Sequence, residues 1–478
     1  MGESLRHKTT RGVAWSAVER FSSQAVQLVV NILLANLLLP GDFGLIAEIM
    51  IFIQLAQVLI DSGFTTALIQ RKDRNALDYS TIFYFNLAAS VACYILLFIS
   101  APIIARFYDE PQLISIVRVV GLNFVIGAFV AVPRTMLTID IRFKEQSLIS
   151  LVSALVSGGM AVWLAFRGLG VWSLVVQSLL VVVVQAIMTI LVVRWLPREG
   201  FSWHNLKSML GYSSKCLLSS LINMMYVYLY PVLIGKFYNK TELGYYNRAD
   251  FFSMVPAQSI GQIISRVAFP IFSSIQDDTP RLRTAYSKYI RYASTIVFPL
   301  MVGLATVAKP LIEIMLPPVW SPVIPMLQIL CIAWMFDHIS QINLNILYVK
   351  GRSDLALRLE FVKKSIAFAI LFGTVPFGII AICCGRVAYS IIALIINAHY
   401  TSDLISLSRI DQLKDFMPPL LTSIVMGAIV WMLTQLPLNV WLQLFIAIIS
   451  GIIIFVALTY LTQRKFFFEF ISLIHKNG

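Results

Sequence analysis

The chain has 478 residues, of which 58% are hydrophobic and 13% charged, whereas soluble proteins carry about 25% charged residues. With a mean hydropathy of +0.81, it cannot be a soluble globule. Apolar stretches long enough to cross a bilayer core of about 30 Å recur from end to end, which predicts a polytopic membrane protein. A net charge of +13 would point to nucleic acid in a soluble chain. Here the basic residues lie mostly in loops between apolar stretches, so the positive-inside distribution accounts for them and no nucleic-acid partner is expected.

Residues 1–11 are basic, and the apolar stretch behind them runs to about Leu39 with Glu19 and Arg20 inside it. A signal-peptide core is shorter and uncharged, so this reads as an uncleaved first helix. In chain order, fourteen helices are predicted at 12–38, 43–66, 79–101, 113–137, 147–166, 170–195, 212–236, 247–272, 289–309, 322–349, 355–376, 379–400, 417–436 and 439–462. Breaks such as Pro40-Gly41-Asp42, Arg71-Lys72-Asp73-Arg74 and Gly351-Arg352-Ser353-Asp354 separate them. With the N-terminus cytoplasmic, the opposite side holds only Arg106, Arg167, Lys236, Lys240, Arg248, Lys309 and Arg386. Arg118 and Arg266 lie inside spans, and the rest of the 37 Lys and Arg fall on the cytoplasmic side. Both termini are therefore expected in the cytoplasm.

The sequence echoes itself. Asp42-Phe43-Gly44-Leu45 opens the second helix and Glu242-Leu243-Gly244-Tyr245 opens the eighth, each after a long helix and a short turn. Six spans between equivalent points give two parallel six-helix halves related by an axis along the membrane normal. The expected division is 1–201, 202–401, and 402–478 for two additional helices and a cytoplasmic tail. The fold class is all-α integral membrane protein, with a central cavity expected between the halves.

Cys93, Cys216, Cys331, Cys383 and Cys384 lie in or beside apolar spans without CxxC spacing, so neither a disulfide framework nor a metal site is expected. No P-loop, no GxGxxG after a strand and no HExxH occurs among the motifs, and the outer loops are short. A nucleotide-driven pump is excluded, no cofactor is expected, and no extramembrane catalytic domain is present to make the chain an enzyme.

Polar residues deep in a span usually face a bundle interior or an aqueous cavity. Arg20, Gln24, Gln27 and Asn31 form one polar stripe on the first helix. Ser219, Asn223, Tyr226 and Tyr230 repeat that spacing on the seventh. Both stripes are expected to line the cavity. Gln258, Gln262 and Arg266 on the eighth helix drift along one side, and the tenth carries Asp337, His338, Gln341 and Asn345. On the second, Gln54, Gln57 and Asp61 share a face, with Glu48 elsewhere. Fixed arginines suit an anionic group. Asp61 and Asp337 are candidates to pair with them or to bind a coupling proton or sodium ion. For any single residue the alternative is helix-to-helix hydrogen bonding or a structural ion pair.

Gly12-Val13-Ala14-Trp15-Ser16, Phe43-Gly44-Leu45, Arg106-Phe107-Tyr108-Asp109-Glu110-Pro111 and Leu243-Gly244-Tyr245-Tyr246-Asn247-Arg248-Ala249 carry a resemblance. In their order and spacing the chain resembles Wzx-type polysaccharide flippases of the multidrug/oligosaccharidyl-lipid/polysaccharide exporter superfamily, in the colanic acid and teichuronic acid export branch. The resemblance implies two six-helix lobes and alternating access. It implies an undecaprenyl-pyrophosphate-linked oligosaccharide as substrate, carried from the inner to the outer leaflet of the bacterial inner membrane while the polyprenyl tail stays in lipid. Exopolysaccharide, capsule or O-antigen export would use such a step, and a polymerase and a chain-length regulator are implied partners. Family members use cationic cavity residues for the pyrophosphate-sugar head, and Arg20 and Arg266 are the positions here that could serve in that way, although no invariant motif fixes them. The rivals are a drug or organic-cation antiporter of the same superfamily, a peptidoglycan-precursor carrier, and a polymerase or ligase acting on the same lipid-linked substrate.

Overall fold

The computed structural model describes residues 24–61, 64, 68, 74–140, 142–464 and 466–469. Among them there is no strand. The long helices are α1 (Gln24–Leu37), α2 (Pro40–Asp61), α3 (Ala76–Tyr108), α4 (Leu113–Ile139), α5 (Phe143–Phe166), α6 (Val171–Val193) and α7 (Trp203–Phe237). They continue with α8 (Lys240–Ser274), α9 (Thr279–Thr306), α10 (Val323–Val349), α11 (Ser353–Thr374), α12 (Ile379–Ile405), α13 (Arg409–Thr434) and α14 (Val440–Thr462). Each predicted span falls on one of them over its described residues; 12–23 of the first span and 62, 63, 65 and 66 of the second lie outside the described residues. Ten are long and apolar enough to cross a membrane, and Gln24–Leu37 and Val227–Phe237 are shorter apolar helical stretches. The chain is a multi-pass membrane protein.

Several helices overrun their predicted ends because capping chemistry, not hydropathy, sets where they start. α3 begins on a complete capping box, in which Asn75 Oδ1 accepts from the Asp78 amide (2.9 Å) and Asp78 Oδ2 from the Asn75 amide (3.0 Å). Asp78 also accepts from Asn205 Nδ2 (2.8 Å), and Thr81 Oγ1 accepts from the Ser202 amide (3.1 Å). These bonds pin the start of α7 to the start of α3.

By contact the chain divides into two compact units, residues 1–244 and 245–478. α7 belongs to the first because it packs on α2 and α3. In the first unit, Val30 and Leu34 of α1 and Leu38 just after it pack on Ala161 and Ala165 of α5 and Leu174 of α6. Gly158 makes that approach possible, since a Cβ there would meet Val30 Cγ2 at 2.5 Å. A second cluster joins Leu45 and Ile49 of α2, Ile104 and Tyr108 of α3, Ile116 of α4 and Val175 of α6.

The second unit is organised around α9 and α13. A Cβ on Gly427 would meet Val302 Cγ1 at 2.4 Å, so the glycine sets the spacing of these two helices. The buried Tyr286 hydroxyl lies 2.6 Å from Asn343 Oδ1 and 3.1 Å from Gln412 Oε1, and Gln412 Nε2 donates to the Ala398 carbonyl (3.1 Å). That knot ties α9, α10, α12 and α13 together, so α13 is built into the unit. Beyond α14, Arg291 donates to Gln463 (2.9 Å) and lies over the Phe466 ring (4.3 Å), Tyr292 stacks on Phe466 (5.5 Å), and Lys288 pairs with Glu469 (2.5 Å).

The hydrogen bond from Lys288 holds the Glu469 carboxyl below its ordinary pKa. A depressed carboxylate contributes stability that is complete above its unfolded pKa, about 4.3, and lost as pH falls through the folded value. Hydrogen exchange at residues 463–469 should therefore rise on acidification below that range. Glu469→Gln should show the raised exchange already at neutral pH.

Candidate functional site

The two echoed segments meet. α2 and α8 each start after a short turn, with Pro40 at the first position of α2, where its missing N–H is no loss. Asp42 Oδ2 accepts from the Leu39 amide (3.0 Å), and Asn239 Oδ1 accepts from the Glu242 amide (2.8 Å), so each start uses one half of a capping box. A Cβ on Gly44 would lie 1.8 Å from the Lys240 carbonyl oxygen, and one on Gly244 would lie 2.1 Å from the Pro40 carbonyl oxygen. Each glycine receives the first carbonyl of the other helix. The Arg106–Pro111 turn clasps this crossing. Asp109 takes a left-handed conformation (φ 61°), Lys236 Nζ donates to the Phe107 carbonyl (2.6 Å) and lies 3.6 Å from Asp109, and Lys240 pairs with Glu110 (2.9 Å).

One turn past Gly44, Glu48 is 1% exposed. Its Oε2 and the Tyr108 hydroxyl are buried without a hydrogen-bond partner. Gly235 of α7 forms the shelf between them. A Cβ there would be 3.1 Å from Glu48 Cγ, 3.1 Å from Tyr108 Cε1 and 3.2 Å from Leu243 Cδ2.

The expected cavity residues are placed as follows. Arg20 lies outside the described residues, as do the side chains of Asp61, Ser219, Asn223, Tyr226 and Arg266. On α1, Gln24 and Asn31 are half-buried and Gln27 is exposed, and Asn31 Nδ2 donates to the Gln27 carbonyl (2.8 Å). Tyr230 of α7 is buried, and Gln262 of α8 is half-buried. α10 is interrupted between Trp334 and Asp337, so Asp337 opens a helical segment, where a carboxylate is favoured. Its Oδ2 accepts from Gln341 Nε2 (2.5 Å), and Gln341 Oε1 accepts from Ser265 Oγ of α8 (3.3 Å). Gly261 leaves room for that amide, since a Cβ there would lie 3.2 Å from Gln341 Nε2. The α8 and α10 polar faces thus meet at Ser265, Gln341 and Asp337. His338 turns the other way, 3.0 Å from Ser294 Oγ of α9 and packed on Phe298, so it shares no site with Asp337.

A charged cluster that sequence reasoning missed lies in the second unit. Asp250 Oδ1 accepts from Arg386 (2.8 Å) and from Trp334 Nε1 (2.8 Å), and Arg386 donates to the Tyr246 hydroxyl (2.7 Å) with its guanidinium 4.7 Å from the Trp334 ring. Tyr246 and Asp250 are one helical turn apart just after the repeated glycine. That spacing was the available signal, and only the fold brings Arg386 to it.

These groups offer hydrogen bonding and fixed charge. Amides, hydroxyls and a carboxylate in a strip can replace the water around a hydroxyl-rich ligand.

The family model described as "Polysaccharide biosynthesis protein" matches residues 33–325. The chain is 26% identical over 429 residues to the teichuronic acid biosynthesis protein TuaB of Bacillus subtilis (strain 168), covering 89% of each. It is 26% identical over 401 residues to the lipopolysaccharide biosynthesis protein WzxC of Escherichia coli (strain K12), covering 82% of this chain and 81% of the relative. Its fold is similar to that of the lipid II flippase MurJ in an inward closed conformation, with a TM-score of 0.79 at 13% identity over 94% of this chain and 99% of that one.

Proposed function

The chain belongs to the polysaccharide biosynthesis protein family, and from that membership we propose that it is a flippase for lipid-linked oligosaccharide, not an enzyme. The substrate is an undecaprenyl-pyrophosphate-linked repeat unit, carried from the inner to the outer leaflet of the bacterial inner membrane for exopolysaccharide, capsule or O-antigen export. The observation that carries the reading is likeness along most of the chain to TuaB and WzxC, proteins named for polysaccharide biosynthesis, on a helical fold shared with a lipid flippase.

In this reading residues 1–201 and 202–401 are two six-helix repeats, 402–478 adds two helices, and both termini are cytoplasmic. The pyrophosphate-sugar head occupies a cavity lined by Arg20, Gln24, Gln27, Asn31, Asn223, Tyr226, Tyr230, Gln262 and Arg266. The arginines take the pyrophosphate, because a guanidinium forks onto phosphate oxygens, and the amides and phenols take the hydroxyls. The polyprenyl tail stays in lipid. Asp61 or Asp337 binds a coupling proton or sodium ion, and a polymerase and a chain-length regulator act alongside. Alternation between two states moves the head across, with the α2–α8 crossing as the outer closure.

The test is leaflet translocation of a fluorescent undecaprenyl-pyrophosphate oligosaccharide in proteoliposomes. Wild type should flip it. Arg20→Ala should be slower by about tenfold or more, the loss expected from one charge-assisted hydrogen bond. Counter-transport of an organic cation without flipping would move the protein to the drug-exporter class, and unchanged flipping by Arg20→Ala would remove Arg20 from the site.

A further inference from the structure

The residue that most needs explaining is Glu48. A carboxylate in a dry place with no counter-ion costs several kcal/mol, and ionisable groups within membrane-spanning helices are retained where they serve function. Glu48 is 1% exposed, and its Oε2 has no hydrogen-bond partner. The charged groups acting on it are Glu110 and Lys240, which pair with each other at 2.9 Å. Lys236 and Asp109, at the same end, lie 3.6 Å apart. The Tyr108 hydroxyl beside Glu48 is itself without a partner.

Its position is equally specific. Glu48 follows Gly44 by one turn, and the Gly235 shelf it rests on is also touched by Leu243, the neighbour of Gly244. The two glycines are where α2 and α8 close on each other. Glu48 is therefore kept dry by the crossing, and parting the two helices would admit water to it.

We propose that Glu48 is a proton-binding site coupled to the α2–α8 crossing. It holds its proton while the crossing is closed and releases it to water when the crossing opens, the carboxyl becoming a carboxylate and the proton leaving as hydronium. A ligand that binds one of two states better shifts their equilibrium, so acid favours the crossed state. This inference rests on the alternating-access reading above.

The experiment uses the full-length protein in proteoliposomes, with spin labels at Leu39 and Phe237, both exposed at the turns before α2 and α8. Inter-label distances are recorded across pH 5–9 (a range chosen about neutrality, where a linked proton shifts an equilibrium by up to about tenfold per pH unit). In wild type the longer distance should gain population as pH rises. Glu48→Gln should keep the short distance throughout. Glu199→Gln, changing an exposed carboxylate just before α7 and away from the crossing, should retain the wild-type response. A wild-type response in Glu48→Gln, loss of the response in Glu199→Gln, or a wild-type distance that ignores pH each overturns the proposal. Failure of wild type to flip the fluorescent lipid-linked oligosaccharide is a separate result, and it overturns the flippase reading instead.

Discussion

Gly44→Ala and Gly244→Ala are each expected to abolish most of the transport while leaving a folded protein in the membrane. The added Cβ at Gly44 would lie 1.8 Å from the Lys240 carbonyl oxygen, and at Gly244 2.1 Å from that of Pro40. Both obstacles are backbone atoms at helix starts, so no side-chain rotation relieves the clash. α2 and α8 must separate. Overpacking of this kind costs about 1–3 kcal/mol, a bias of roughly 5- to 150-fold against the crossed state. Gly159→Ala and Gly373→Ala are the controls, because nothing lies within 4 Å of a Cβ at either. Inter-label distance across the crossing and translocation rate should move together in the first pair and not in the second. Normal rates in Gly44→Ala would mean that the crossing is no part of the transport cycle.

The same two glycines show what a sequence can and cannot display. The echo of Phe43-Gly44-Leu45 in Leu243-Gly244-Tyr245 was visible as a repeat, but its cause, a reciprocal helix crossing, is a tertiary fact. The order of the spans was legible because a bilayer imposes a minimum length of apolar residues. Helix ends were not, since α3 starts on the Asn75–Asp78 box and α7 on Ser202, outside any apolar window. In the candidate site, helical spacing placed Asp337 and Gln341 on one face, and the structure adds that this face meets Ser265. Spacing also put His338 in the same strip, where one residue's rotation turns it to Ser294. Glu48 was conspicuous as an acid on an apolar helix, but its neighbours Tyr108 and Gly235 lie far along the chain. The partners of Asp250 lie 84 and 136 residues away, beyond the reach of any periodicity.

Asp250→Ala is expected to destabilise the second unit more than any other single change in this cluster. It strips the carboxylate from Arg386, whose side chain is 19% exposed and which stays held by Tyr246 and the face of Trp334. Breaking one partner of a buried pair costs about 3–5 kcal/mol; the partial exposure of both side chains places this one near the lower end. Trp334→Phe removes one hydrogen-bond donor and keeps an aromatic face, so its loss should be nearer 1 kcal/mol. The double variant Asp250→Asn with Arg386→Gln removes both charges and should be more stable than Asp250→Ala alone, because no unpaired charge remains. Thermal unfolding of the detergent-solubilised protein measures all three. The coupling in the cycle of Asp250→Asn, Arg386→Gln and their combination isolates the pair from packing losses. Strict additivity would show that Asp250 and Arg386 act independently, and the cluster would then owe its stability to the contacts with Trp334 and Tyr246.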